Sequence, residues 1–328
     1  MPTALASELA VRAESIGAAA SEALEAAGRR PIGLRVHSVF SSTINLEVEG
    51  SDILVALSGP SGAAYPYTIS LGRSVDFLSW PLDRGEPGVS EDGCLRFEGG
   101  AAGPRIDLRR ARSRGRPELS PATRLGGAFA LCEGELAALQ HRKGFDLRLA
   151  HLEEGARAES PMGEELRRSV LAFGATALEC RHLGAAPDGS KGATAASVSA
   201  LVGRGGGLTP SGDDFLCGFL AAARCAAPEG AAAPDLLSET LREAVGASLA
   251  STGEISASLL RCAMRGHWPG PLAELSRAIA LDLGFDSLNS LRELCGLGHS
   301  SGADIATGFL YGLRLLAGSG GGRAVSVT

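Results

Sequence analysis

The sequence predicts an α+β protein. An antiparallel β-rich N-terminal region, either a sheet or a small barrel, precedes a mostly α-helical C-terminal domain with two pseudo-equivalent helix N-termini. Three observations predict this. Short β-branched segments separated by Gly, Pro and Asp crowd residues 30–110. From about residue 125, Ala, Leu, Arg and Glu dominate at an apolar period near 3.6. A ten-residue segment of the helical half recurs 90 positions later.

The elements follow in order. Residues 1–29 are rich in Ala and carry repeated Glu, which predicts a helix, exposed or partly packed. The β-rich region, 30–124, includes "LRVHSVFSSTINLEVEG", "SDILVALSG", "YPYTISLG", "CLRFEGG" and "PRIDLRR". The basic stretch "RRARSRGRPELSPATR" that closes it reads as a linker or surface loop. The helical domain spans 125–316, with loops at "GAAPDGSKG" and "AAPEGAAAPD", and 317–328 form a flexible tail.

Composition limits the function classes. A chain of 328 residues that is 45% hydrophobic can fill one large or two ordinary cores. A net charge of −6 disfavours a duplex nucleic-acid binder. Seven cysteines, an odd number with no C-x-x-C pair, suit reduced thiols. The N-terminus lacks the basic and apolar regions of a secretory signal, and no apolar run approaches the roughly 20 residues of a membrane span. These features predict a soluble, cytoplasmic protein that uses neither nucleic acid nor membrane.

The repeat carries the chemistry. "SGDDFLCGFL" from Ser211 lies over "SGADIATGFL" from Ser301 with six identities and no gap. In both copies the serine reads as an N-cap, and Asp214 or Asp304 stands at capping-box spacing. Gly218 and Gly308 follow four residues later on the same helix face. A mid-helix glycine costs about 1 kcal/mol relative to alanine. Two of them at equivalent places predict that the helices touch backbone to backbone around a local twofold axis. Their N-termini would then open onto one cleft.

A capped helix needs neither a first-turn glycine at Gly212 and Gly302 nor the run Gly205, Gly206 and Gly207. Those residues suit a loop that approaches a ligand closely. Free N–H groups and the helix dipole favour a phosphate or carboxylate. Asp213 and Asp214 oppose an anion unless they turn away, accept a substrate N–H, or share Mg²⁺ with it. No cofactor is required by this reading, and Mg²⁺ through Asp213 and Asp214 stays open. The binding candidates are Gly206, Gly207, Thr209, Ser211, Gly212, Asp213, Ser256, Ser301 and Gly302. The acid–base candidates are Asp214, Asp304 and His299. Arg204, Arg261 and Arg265 are available cations without an assigned place. Thr252 and Ser256 share one face of the next helix, for close packing or for ligand contact.

Other motifs fail on their context. "GHSSG" has the form of a nucleophile elbow, but a helical segment precedes it and no histidine follows His299. The glycine loop lacks the Gly-Lys-Ser/Thr of a P-loop and the third glycine of a dinucleotide fingerprint.

"GLTPSGDDFLCGFLAA", "STGEISASLLRCAMRGHW" and "LGHSSGADIATGFLYGLRLL", in this order, resemble the bacterial AllH family over about 165–316, and "VHSVFSSTINL" is similar to its N-terminal part. The resemblance implies a subunit of an oxamate carbamoyltransferase in anaerobic allantoin breakdown, a branch of purine degradation. Such an enzyme interconverts oxalurate plus phosphate with oxamate plus carbamoyl phosphate. Companion subunits of the FdrA and AllG types are also implied. The motif positions shared with the family are Gly207, Thr209, Pro210, Ser211, Asp213, Asp214, Ser256, Gly298, His299, Ser301, Gly302 and Asp304. Two other readings compete. One is a non-catalytic subunit that binds a small anion or acts as scaffold. The other is a ribokinase-like small-molecule kinase, from which Pro210 and Cys217 depart.

Overall fold

The computed structural model describes residues 10–25, 30–62, 64–98, 103–143, 147–182, 188–227 and 236–317. The chain divides into two compact units, Met1–Pro117 and Glu118–Thr328.

The first unit is built on one ten-stranded sheet. Its strands are β1 (Ala10–Arg12), β2 (Ser15–Gly17), β3 (Ile32–Val39), β4 (Thr43–Val48), β5 (Val55–Ser58), β6 (Thr68–Ser70), β7 (Pro87–Glu91), β8 (Cys94–Phe97), β9 (Arg105–Asp107) and β10 (Arg112–Arg114). A helix, α1 (Ala18–Glu25), follows β2. The strand order is β1-β9-β8-β7-β3-β4-β5-β6-β2-β10. Pairing is mostly antiparallel, with parallel pairs at β1/β9, β5/β6 and β2/β10.

Connectivity curls this sheet. Ala13 and Glu14 alone join β1, at one end of the order, to β2, next to the other end. A residue spans at most about 3.6 Å, so the two ends must lie close together. Ala13 N–H donates to Asp107 O on β9 (3.0 Å), and Glu14 N–H donates to Ser70 O on β6 (2.8 Å). A row of apolar side chains crosses one face of four strands in register: Ile16, Ile69, Leu57 and Ile44. All four are buried. The alternate face carries Ser15, Ser70, Ser58 and Thr43 in the neighbouring row, as the two-residue strand period requires.

Two sequence expectations change here. Residues 10–17 are strands rather than helix, and only Ala18–Glu25 of the Ala-rich stretch is helical. Their positions within a larger sheet outweigh local helix propensity. Within the basic stretch, Arg112–Arg114 pairs with β2 instead of forming a loop. The rest of the expected N-terminal helix, 1–9 and 26–29, and the tail from 318 onward lie outside the described residues.

The second unit is helical. It contains α2 (Gly127–Lys143), α3 (Pro161–His182), α4 (Asp188–Ser199), α5 (Ser211–Cys225), α6 (Leu236–Ser248), α7 (Glu254–Met264), α8 (Gly270–Ala280), α9 (Gly284–Cys295) and α10 (Ser301–Ala317). Among the described residues no strand follows Arg114, so those residues of this unit form no α/β sheet of the kind a ribokinase-like reading needs. No helix of the described residues is long and apolar enough to cross a membrane.

The two copies of the repeat form the centre of this unit. Every residue of α5 from Gly212 to Ala223 is buried, as is every residue of α10 from Gly302 to Leu313. A helix apolar on all sides belongs in a core, and here α5 and α10 pack on each other. Phe173 of α3 meets Phe219 edge-on, with ring centroids 4.7 Å apart. Phe215 leans on Tyr311 at 5.9 Å.

Candidate functional site

The α5–α10 contact follows the twofold relation the repeat predicts. A Cβ on Gly218 would collide with the carbonyl oxygen of Ile305, and a Cβ on Gly308 with that of Phe215. Phe215 and Ile305 are themselves equivalent positions of the repeat. The two backbones therefore touch reciprocally, and any larger residue would wedge them apart.

This crossing fixes the helix starts. Pro210 O accepts the N–H groups of Asp213 (2.9 Å) and Asp214 (3.1 Å); Ser300 O accepts those of Ala303 (2.9 Å) and Asp304 (3.0 Å). The N-cap of α5 is Pro210, which makes no side-chain capping bond. Ser211 is thus the first helical residue rather than the cap expected from sequence. Ser301 likewise opens α10. Its hydroxyl meets the Thr209 hydroxyl at 2.7 Å, joining the two N-termini directly. Gly212 and Gly302 are buried against the carbonyl oxygens of Leu201 and Leu294, which leave no room for a side chain.

The adjacent acids have different surroundings. Asp213 is fully buried. Its Oδ1 accepts Gly203 N–H (2.8 Å), and its Oδ2 accepts the hydroxyls of Thr252 (2.5 Å) and Ser256 (2.6 Å). It ties the glycine loop to the start of α7. Gly203 has φ +77 and lies against the Ser251 carbonyl, so a side chain there would be strained and obstructed. Asp214, also fully buried, belongs to the helix pair. Burial first, then the nearby charge of Asp304, pushes its carboxyl well above the usual range. The Ser301 and Thr209 hydroxyls pull it partly back, although neither completes a hydrogen bond of full geometry to its oxygens. Asp304 is buried at the matching position of α10.

The oxygens of Asp213 face N–H and O–H donors, whereas those of Asp214 complete no hydrogen bond of full geometry. Among the described residues no three His, Cys, Asp or Glu side chains gather as metal ligands.

The remaining candidates line the outer side. Gly206, Gly207, Leu208 and His299 are exposed; Thr209, Ser211 and Ser301 are half-buried. Gly207 takes φ +90, whereas Gly206 has open space and no left-handed φ. Ser256 is buried, with its hydroxyl directed at Asp213. Arg204 pairs with Glu165 at 3.4 Å, and Arg261 stands 4.0 Å from Glu254. Sequence reasoning did not connect Asp213 to Gly203 and Thr252. The available signal was that Asp213 has no acidic counterpart in the second copy, where Ala303 stands.

The family model described as oxamate carbamoyltransferase subunit AllH matches residues 201–313, and that of the AllH family N-terminal domain matches 10–113. The chain belongs to the AllH family. The first match takes in the glycine loop, both copies of the repeat and α7; the second takes in most of the curled sheet. No solved structure matches the chain. The family name implies a subunit of a carbamoyltransferase complex, and hence partner proteins.

Proposed function

We propose that this AllH-family chain is a subunit of an oxamate carbamoyltransferase-type complex and holds a small anion at the paired N-termini of α5 and α10. The observation that carries the reading is the Thr209–Ser301 hydroxyl contact at 2.7 Å, which brings two helix starts to one place. Backbone N–H groups and hydroxyls there suit a carboxylate, a phosphate, or the oxyanion formed during carbamoyl transfer. Oxamate, oxalurate, carbamoyl phosphate and phosphate all have such groups. The exposed Gly206 and Gly207 let a ligand approach the backbone, and His299 lies on the loop that enters α10. Asp213, Thr252 and Ser256 hold the glycine loop in place. Asp214 and Asp304 take the proton lost when the amide nitrogen attacks. No step requires a divalent cation.

FdrA-like and AllG-like chains are the proposed partners, in the cytoplasm and in allantoin breakdown. Seven free, buried thiols support a reducing compartment. The test is phosphorolysis of oxalurate by the co-purified complex, with and without Mg²⁺. Wild type is expected to produce oxamate and carbamoyl phosphate in both conditions. Full activity in Asp214→Asn and Asp304→Asn complexes would reduce the aspartates to structural residues. A chain that binds oxamate but never supports turnover in the complex would be a binding or scaffold subunit.

A further inference from the structure

We infer that the outer face of α2 and the turn between α8 and α9 form a docking surface for another subunit of the complex, and that the occupant is an amphipathic helix whose apolar side packs on Leu131, Gly134 and Phe285. The inference rests on the proposed membership of a complex and is independent of the anion site.

Four large apolar side chains are exposed there. Phe285 is 76% exposed, Leu281 60%, Leu131 52% and Leu283 37%. Two contacts bring them to one place although Leu131 is far from the others in the chain. Asp282 Oδ1 accepts the Ala128 N–H at 2.7 Å, and Leu131 Cδ1 lies 3.1 Å from where a Cβ on Gly284 would stand. Leu281 and Leu283 flank Asp282, and Phe285 follows Gly284. Together the four expose on the order of 400 Å² of apolar surface, enough to mark an interaction site. A standard interface takes roughly 800 Å² from each partner, so this patch suits its apolar centre.

The exposed side of α2 fits a helix. Gly127, Ala130, Leu131, Gly134 and Ala138 form it, and Ala130, Gly134 and Ala138 repeat at four-residue spacing. The α5–α10 contact uses the same spacing. Gly218 and Ala222 meet Gly308 and Gly312, and a Cβ on Gly312 would come within 2.6 Å of the Ala222 Cβ. On α2 the stripe faces open space, with no described atom within 4 Å of a Cβ at Gly134. A mid-helix glycine weakens the isolated chain relative to alanine, and here no contact within the described residues offsets it. A helix from outside supplies that contact. Charge favours an apolar occupant over an ionic one. Glu133 and Glu135 stand about 100° to either side of Gly134. They are paired with Arg314 at 2.6 Å and Arg292 at 2.8 Å. Asp282 is committed to α2. Asp286, exposed beside Phe285, stands at the edge and matches a basic residue on the polar side of the occupant. The family model describes a subunit, which favours a different chain over a second copy.

Co-expression with the proposed companion subunits tests the surface. Wild type should co-purify with them as one species in size-exclusion chromatography. Phe285→Asp and Leu131→Asp should each weaken the complex at least tenfold, while the isolated variants unfold at the wild-type urea concentration. Leu78→Asp, at an exposed leucine of the first unit, is the control and should assemble like wild type. Gly134→Leu gives a signature that a purely structural role would not. The isolated chain should resist urea better, because leucine favours a helix, yet the complex should weaken. Normal assembly of Phe285→Asp and Leu131→Asp would overturn the inference and leave the proposed function standing. A complex that depends on these residues but does not phosphorolyse oxalurate would support the surface and count against the proposed function. Failure of wild type to assemble at all would overturn both. If isolated Phe285→Asp is markedly less stable, the chain itself covers the face. If wild type alone is a dimer that Phe285→Asp splits, a second copy covers it. Either result overturns the inference.

Discussion

Replacing Gly218 or Gly308 with alanine tests the helix crossing that positions the site. Two effects oppose each other. Alanine favours a helix interior over glycine by about 1 kcal/mol. The new methyl group would strike a backbone carbonyl: that of Ile305 for Gly218→Ala, and that of Phe215 for Gly308→Ala. Overpacking of a tight core costs about 1–3 kcal/mol. The upper end applies here, because the obstacle belongs to a buried helix and cannot rotate away like a side chain. The net expectation is a loss of about 2 kcal/mol per substitution, or roughly 4–8 °C for a unit of this size. The double variant should lose less than the two single losses combined, since one outward shift of α10 relieves both collisions. Gly134→Ala in α2 is the control. Its Cβ would meet nothing within 4 Å, so it should gain about 0.5–1 kcal/mol. The assay is urea unfolding in a Trp80→Phe background, where buried Trp268 reports on the helical unit. Wild-type stability in both alanine variants, with the expected gain at Gly134→Ala, would refute the crossing and the placement of the site built on it.

Asp213→Ala should cost about 3 kcal/mol in the same assay, because it leaves the buried donors of Gly203, Thr252 and Ser256 without their acceptor; Thr252→Val, losing one bond, should cost about 1–2 kcal/mol. Asp282 holds φ +55 and its Oδ1 accepts the Ala128 N–H at 2.7 Å, capping α2 from outside the helix. Asp282→Ala should lose about 1 kcal/mol or more in thermal unfolding, while Asp282→Asn, which keeps the oxygen and tolerates the left-handed backbone, should stay close to wild type. All seven cysteines are buried, and burial pushes the Cys225 thiol up to about 12. A thiol reagent at mildly alkaline pH should therefore label the folded chain only as fast as it unfolds.

The fold was legible where local pattern and tertiary demand agree. In β3, Ile32, Leu34 and Val36 alternate with more exposed residues and their composition reveals it, whereas β5 and β6 are short apolar-and-small segments buried on both faces. Residues 10–17 were not legible. "AVR" and "SIG" are three-residue strands in an alanine-rich stretch, formed because β9, β6 and β10 offer them partners. Nothing within eight residues of sequence records those partners. Arg112–Arg114 failed for the same reason: its charges suit a solvated loop, and its hydrogen bonds to β2 depend on how the sheet curls. The N-cap was misread by one residue. Serine is the better capping side chain, but Pro210, with its own φ fixed near −56°, occupies the turn into α5.

The two neighbouring aspartates show how duplication can distinguish residues that local sequence cannot. Asp213 and Asp214 are identical in type, adjacent, and both fully buried. Successive positions on a helix point about 100° apart, so at most one of them can face the twofold axis. Only Asp214 has a partner in the second copy, Asp304, whereas Asp213 is matched by Ala303. A residue that faces the axis meets its own counterpart, so selection on that contact acts on both copies. A residue directed away meets a neighbour that was never duplicated, and Asp213 meets Gly203, Thr252 and Ser256. The same rule assigns Gly218 and Gly308 to the axis, and there each glycine touches the other helix. Exchanging the two kinds of position should expose the difference. Asp213→Ala copies what the second repeat already has, yet it should destabilise the fold through the lost loop contacts. Asp214→Asn should spare stability at neutral pH, since it removes a buried carboxyl whose oxygens complete no hydrogen bond of full geometry, while it eliminates the proposed acceptance of the substrate's proton. If instead Asp214→Asn unfolds the helical unit and Asp213→Ala leaves it intact, the acids have the opposite roles and the twofold argument fails.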